Sequence, residues 1–417
     1  MSGFPTALPV SRVPGSLDAP ALRWGIIGPG WIAERFTVSL QRHTRQQVVA
    51  VGSRNAERSA EFAARHCIER AHGSYEELVA DPGVDVVYVA TPHNGHYPCA
   101  RLALEAGKHT LVEKPIGLNA AQAAEIAALA TSQGVFCMEA LWTFFLPKFD
   151  VIRQLLADGA LGEVRTVSAD HGEYFTADHR IMRPDLAGGP LLDLGTYPVS
   201  FANWVLGPPA GVLASGQPHP AGVNGQVSAI LSDGSGNQAV LHTTILSNTP
   251  TTGVIAGSAA TLTLPGPFYQ PGGFTVTPFV GADALTFDEP QAGHDALHFE
   301  AAEVARCIAE GRSESPLRPL ADSIATMRVM TRSVVNSASS STRNADRRAT
   351  PPPRAPSRRP FPARINFDHA HEGRGCGDTV ARVNDFSRAG EDDPRRQGGR
   401  GSGRARRGRG PRRVRRR

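Results

Sequence analysis

The stretch Trp24-Gly25-Ile26-Ile27-Gly28-Pro29-Gly30-Trp31-Ile32-Ala33 decides how the chain is read. An apolar run with the character of a buried strand passes into a G-x-G-x-x-A turn, and residues to about 42 continue with helical spacing. Outward from it the alternation repeats. Strands are expected at 48–51, 84–90, 110–112 and 135–139, and helices at 56–65, 97–106 and 120–133. Ser74 and Glu77 have capping-box spacing for a short helix ending near residue 80. Only Asp85 interrupts the apolar run 84–90, as in a strand covered on both faces. Repeated βα alternation predicts a doubly wound parallel sheet of the Rossmann type over residues 22–140.

In such a sheet Gly28, Pro29, Gly30, Trp31, Ile32 and Ala33 form a dinucleotide-binding turn. The glycines let a pyrophosphate approach the backbone, and amides at the helix start meet its charge. A plain structural turn would look the same in isolation; its place in the βα series favours the ligand. The second strand runs out in Val51-Gly52-Ser53-Arg54-Asn55, without the carboxylate that usually holds a ribose 2′-hydroxyl. Ser53 beside Arg54 suits a 2′-phosphate, so NADP is expected over NAD, unless Arg54 is only a solvated helix-start residue. Glu113-Lys114-Pro115 follows the strand 110–112, and Lys114 is one of three lysines in the chain, with Lys108 and Lys148. At the ligand edge of the sheet it would face a nicotinamide; on residue type alone it would be a surface lysine.

After residue 140 the rhythm changes. Helical patterns at 149–157, 198–206, 299–309 and 321–335 frame β-rich runs at 164–169, 227–231, 239–245, 261–264 and 274–277. Turns of Gly, Pro, Asn and Asp between them predict a mainly antiparallel open sheet with helices on one face, an α+β domain for substrate and oligomerisation over 141–335. Residues 1–21, rich in Pro, Ser and Gly, read as a disordered leader without a secretory signal, and 336–417 as a disordered Arg/Pro/Gly-rich tail. The net charge of +5 averages two unlike regions. Residues 331–417 hold 23 Arg, no Lys and 8 acids; residues 1–330 carry 21 basic groups against 31 acidic. An acidic body argues against nucleic acid as its partner. No run is apolar and long enough for a membrane span. Five scattered cysteines without a Cys-x-x-Cys pair fit a reducing compartment, expected to be the cytoplasm.

Several separated motifs in order give a specific likeness. Thr91-Pro92 followed by His96, then Ala106-Gly107-Lys108-His109, Glu113-Lys114-Pro115, Met138-Glu139-Ala140-Leu141-Trp142 and Gly188-Gly189-Pro190-Leu191-Leu192-Asp193-Leu194-Gly195-Thr196-Tyr197 resemble the Gfo/Idh/MocA oxidoreductases over residues 22–330. Within that family they are similar to the branch holding dimeric dihydrodiol dehydrogenases and NADP-dependent xylose dehydrogenases. The resemblance implies hydride transfer between nicotinamide and a secondary alcohol of a sugar or cyclic diol. It implies Lys114 as the active-site lysine, Tyr197 as the proton-transferring group and Asp193 as the residue orienting substrate and lysine. A nearby ammonium is expected to lower the Tyr197 phenol from its ordinary value near 10. Thr91, Pro92, His93, His96 and Glu113 are expected beside the cofactor, with His96 equally readable as a structural histidine. Trp142, Phe144 and His179 are expected toward the substrate, with Phe144 standing where the branch has arginine. His171, Glu173, Asp178 and His179 follow no metal-ligand spacing, and no metal is expected. The open sheet offers a face for a homodimer or higher homo-oligomer. The alternative function is a non-catalytic NADP-binding regulator on the same fold, against which the Lys114–Tyr197 pair argues.

The likeness stops inside the last helix, just after Met327-Arg328-Val329-Met330. Of three readings for the tail (nucleic-acid binding, an inert solvated segment, an out-of-frame product of GC-rich DNA), the third accounts best for 23 Arg with no Lys.

Overall fold

The computed structural model describes residues 4–348, with side chains to residue 334. Six strands make the first sheet: β1 Arg23–Ile27, β2 Gln47–Gly52, β3 Arg70–His72, β4 Val86–Val89, β5 His109–Glu113 and β6 Cys137–Ala140. All pairs are parallel, in the order β3-β2-β1-β4-β5-β6. The order reverses between β1 and β4, so ligands are expected beyond the carboxyl ends of those two strands. Crossover helices α1 Trp31–His43, α2 Ala56–His66, α3 Tyr75–Ala80, α4 His93–Glu105 and α5 Ala120–Gln133 connect them. Every residue of β4 is buried, which explains its unbroken Val-Val-Tyr-Val run. Its Tyr88 ring stacks on Phe36 of α1 at 4.0 Å, and Phe36 in turn meets the edge of Trp24 of β1, all three fully buried.

The remaining elements are α6 Pro147–Ala157, β7 Val164–Gly172, α7 Pro190–Asp193, α8 Thr196–Leu206, β8 Gly211–Pro218, β9 Asn224–Ser232, β10 Gln238–Thr244, β11 Gly253–Gly257, β12 Ala260–Leu264, β13 Phe274–Pro278, β14 Leu285–Phe287, α9 His298–Ala309 and α10 Leu320–Arg348. The second sheet has the order β14-β13-β12-β11-β7-β10-β9-β8 and is antiparallel except where β10 meets β7. Burial alternates along β9 and β11, so one face lies against helices and the other is open. The expected mainly antiparallel open sheet is therefore present, with β8, β11 and β14 added to the strands read from sequence, as β3 is in the first sheet.

Two boundaries differ from expectation. The leader over residues 4–21 is not disordered. The Arg12 amide and guanidinium both donate to the Asp150 carboxylate, at 2.6 and 2.9 Å, and Gln154 Nε2 donates to the Val10 carbonyl. Ala19 is buried against Ala302 and Ala305. These anchors lie over a hundred residues along the chain, where local composition carries no sign of them. Second, α10 runs helical to Arg348, past residue 335; the rest of the expected tail lies outside the described residues. Among the described residues, no helix is long and apolar enough to cross a membrane.

One buried network ties α10 to the first sheet. Glu139, at the end of β6, accepts from Arg318 Nη2 at 2.7 Å, from Ser323 Oγ at 2.7 Å and from the Ile116 amide at 3.0 Å. A buried carboxylate is tolerable because cation and hydrogen bonds together occupy its oxygens.

Candidate active site

The G-x-G-x-x-A turn forms where β1 passes into α1. Gly28 has φ +94°, and a Cβ there would come 2.9 Å from the Ala90 carbonyl oxygen, so the position needs glycine. No side chain caps α1 at Gly30, which leaves the first-turn amides open to an anion. Beside them is a cavity of about 540 Å³ lined by the turn, by Ser53, Arg54 and Arg58, and by Thr91 and Pro92 after β4. Among the described residues no carboxylate lines it. Open amides, a Cβ-free approach and two exposed guanidinium groups at the far end fit a dinucleotide, with Arg58 an addition to the residues read from sequence.

A second group of side chains stands past the ends of β4 and β5. Lys114 follows β5, and its Nζ donates to Asp193 Oδ1 and to the Asp193 carbonyl, both at 2.9 Å. Asp193 ends α7, and the turn before it is tight: a Cβ on Gly188 would lie 2.3 Å from the Ile181 carbonyl oxygen. Arg180 Nη2 reaches Asp193 Oδ2 at 3.0 Å, while His93 Nε2 stays 3.7 Å from Oδ1. Burial pushes the Asp193 carboxyl up, but the Lys114 and Arg180 cations outweigh it and hold it far below the usual carboxylate range. Burial takes His93 down to about 3, so it is neutral.

Tyr197, in the first turn of α8, completes the group. The Lys114 ammonium is 5.0 Å from the centre of its ring, and Trp142 Nε1 donates to its hydroxyl at 3.4 Å. The expected lowering of this phenol is not found. Burial raises Tyr197 well above 10, and Glu113, Asp193 and Glu300 add to the rise. The lysine charge is spent on Asp193, so in this state Tyr197 is a neutral phenol. Tyr269 stacks on it at 4.0 Å, and His171, bonded through Nε2 to Glu173, stacks on Tyr269.

Other expected site residues turn elsewhere. Both Glu113 oxygens are used inside the chain, one by the Tyr88 hydroxyl at 2.5 Å and one by the Lys114 amide at 3.0 Å, so this side chain does not reach for a cofactor. Both ring nitrogens of His96 sit on backbone carbonyls, of Pro115 and Thr91, at 2.7 and 2.8 Å; it is a brace between two site loops. Phe144 is not a cleft residue. Its ring packs against Phe149, Trp204 and the Arg318 guanidinium, because the turn of residues 142–145 points successive side chains in different directions. His179 Nδ1 accepts the Ile181 amide and its ring stacks on Phe175, a cap for the short turn that carries Arg180. Trp142 does stand at the site, stacked on His294 at 5.3 Å, and the His294 ring in turn meets the edge of Trp31. Arg180 and His294 had no motif to mark them. Glu300 is fully buried with neither oxygen partnered, and burial pushes its carboxyl well above the usual range.

Comparison with known proteins adds ancestry to this geometry. A family model described as the oxidoreductase family, NAD-binding Rossmann fold matches residues 22–141, and a GFO/IDH/MocA C-terminal domain model matches residues 149–263. The trans-1,2-dihydrobenzene-1,2-diol dehydrogenases of Mus musculus and Bos taurus are 38% and 39% identical to this chain over 314 and 315 residues. Those alignments cover 73% of this chain and 93% of each relative. Among solved structures, KijD10, a 3-ketoreductase from Actinomadura kijaniata in complex with NADP and TDP-benzene, matches with a TM-score of 0.66 at 26% identity, covering 76% of this chain and 98% of that one. Two domain models in sequence order, relatives similar over almost their whole length and a shared fold have one explanation: the chain belongs to the Gfo/Idh/MocA family of oxidoreductases.

Proposed function

We propose that this oxidoreductase is NADP-dependent and moves a hydride between the nicotinamide and a secondary alcohol carbon of a sugar or cyclic diol. The observation that carries the reading is the convergence of Lys114, Asp193 and Tyr197 past β5, next to a dinucleotide-sized cavity past β1 and β4. The dehydrogenases of mouse and cow act on a cyclic diol by name, and KijD10 was solved with NADP. Residues 22–140 would be the cofactor domain and 141–335 the substrate and oligomerisation domain.

When bound, the nicotinamide supplies the two-electron acceptor or donor. The chain does the rest. The first-turn amides of α1 would hold the pyrophosphate, with the Gly28–Gly30 turn letting it approach the backbone, and Ser53, Arg54 and Arg58 would hold the 2′-phosphate. The Tyr197 hydroxyl transfers the proton of the substrate oxygen. It is protonated in the ligand-free state and so is ready to donate in the reductive direction. In the oxidative direction the Lys114 ammonium must leave Asp193 for the substrate oxygen and the phenol, which makes both more acidic. The open face of the second sheet is the surface on which two copies would pair. Leu213, Ile230 and Val240 form an exposed apolar row there, in register across β8, β9 and β10. The four described cysteines are unpaired, in keeping with a reducing compartment such as the cytoplasm.

The test is a panel of aldoses, inositols and cyclic diols with NADP or NAD, following absorbance of the reduced cofactor. Turnover of at least one compound, faster with NADP, is expected. Failure of every compound with both cofactors overturns the reading, and a preference for NAD overturns its cofactor part.

A further inference from the structure

Asp193 is bound by two cations on two different oxygens, and the two cations approach from different sides. Lys114 takes Oδ1 from inside, with 15% of its side chain exposed; Arg180 takes Oδ2 from the solvent side, with 50% exposed. From this geometry we infer that Arg180 is a positioning residue of the hydride-transfer site: it keeps the Asp193 carboxylate anchored so that the Lys114 ammonium can leave it for the substrate oxygen. The inference rests on the catalytic reading of Lys114, Asp193 and Tyr197 proposed above.

Asp193 is buried, and a buried carboxylate left without a cation is costly. If Lys114 were its sole cation, every departure of Lys114 toward a substrate would leave that charge uncovered, and the cost would enter the reaction barrier. His93 cannot take over, because it is neutral and 3.7 Å away. Arg180 is charged at every working pH and already in contact. The remaining titratable groups that act on Asp193 or feel it, Glu113, His179 and Tyr197, offer no fixed cation. The loop of residues 173–189 that presents Arg180 is itself fastened to the cofactor side. Asn94 Nδ2 donates to the Asp185 carbonyl at 2.8 Å, and His93 Nδ1 meets the Ala187 carbonyl at 3.2 Å. Both residues stand at the start of α4, directly after Thr91 and Pro92 of the cavity wall.

The experiment compares the full-length wild type with Arg180→Ala, Arg180→Lys, Lys114→Ala and Tyr197→Phe. The probes are D-xylose, myo-inositol and trans-1,2-cyclohexanediol with NADP. For Arg180→Ala we expect kcat to fall about ten- to a hundredfold, the scale of one lost charge-assisted contact, with NADP affinity unchanged. Millimolar guanidinium chloride should restore a large part of that loss in Arg180→Ala and none in Lys114→Ala, and Arg180→Lys should keep most of the activity. Normal turnover of Arg180→Ala overturns the inference, as does a loss that neither guanidinium nor lysine repairs. If Lys114→Ala and Tyr197→Phe stay active, the underlying catalytic reading fails instead. A second measurement needs no substrate. With one cation gone the folded-state value of Asp193 rises toward normal, so less stability is lost to acid: the melting temperature of Arg180→Ala, below wild type at pH 7, should fall less steeply on acidification and converge on wild type. An acid limb identical to wild type overturns the inference on its own.

Discussion

Replacing Lys114 by Met removes the inner cation from Asp193 and keeps most of the side-chain volume. Breaking a buried ion pair by deleting one partner costs about 3–5 kcal/mol, since the other charge stays buried. Here the low end applies, about 3 kcal/mol, because Arg180 remains on Oδ2 and Lys114 is not wholly enclosed. At roughly 1–1.5 °C per kcal/mol for a chain with more than about 300 folded residues, Tm at pH 7 should drop by about 3–5 °C. The sign of the pH dependence follows from Asp193. Its folded-state value is depressed, so its contribution is present above the ordinary carboxylate value near 3.9 and disappears as pH falls through the depressed one. Lys114→Met raises that folded value, so the gap between variant and wild type should shrink toward pH 4. The assay is thermal denaturation of wild type, Lys114→Met, Asp193→Asn and the double variant, without ligands. The double variant should be more stable than Lys114→Met alone, a coupling of at least about 1 kcal/mol. Additive effects of the two substitutions would refute the claim that these side chains depend on each other.

Tyr197→Phe keeps the ring stacked on Tyr269 and should lower turnover about 10²–10⁴-fold with NADP affinity unchanged in a fluorescence titration. Since burial raises this phenol, ultraviolet titration of the ligand-free wild type should show no tyrosinate from Tyr197 below pH 10, where a Tyr197→Phe difference spectrum would reveal one. Arg54→Ala and Arg58→Ala should each weaken NADP by about ten- to a hundredfold and leave NAD almost unchanged, read by calorimetry. Arg318→Met should destabilise the chain by about 3–5 kcal/mol in denaturant unfolding by stranding Glu139, and the Glu139→Gln/Arg318→Met pair should recover part of it.

Much of the fold was readable in the sequence because its signals are local. Apolar runs of strand length, helical spacing between them and the Gly28–Ala33 turn each depend on residues within one element, so the parallel sheet and its ligand-facing edge follow from pattern alone. The missing acid after β2 and the position of Lys114 after β5 were legible for the same reason. In the second sheet β8, β11 and β14 escaped notice: Ser, Gly and Gln blur the alternation of β8, and β11 and β14 are only five and three residues long.

What the tertiary structure alone decided is where charges meet and what burial does to them. The sequence marks Lys114 and Asp193 as residues of interest; that they share a proton donor–acceptor contact depends on a close approach between positions 79 apart. Glu139 and Arg318 are 179 apart, and the clamp on Asp150 by Arg12 spans 138. Arg180 belongs to no motif and acquires meaning only because the turn through Gly188 brings Asp193 under it. Tyr197 shows the same division. Its residue type and place announce a proton-transferring group, but its ionisation is set by the low dielectric around it and by a lysine whose charge is already taken, and neither is a property of local sequence.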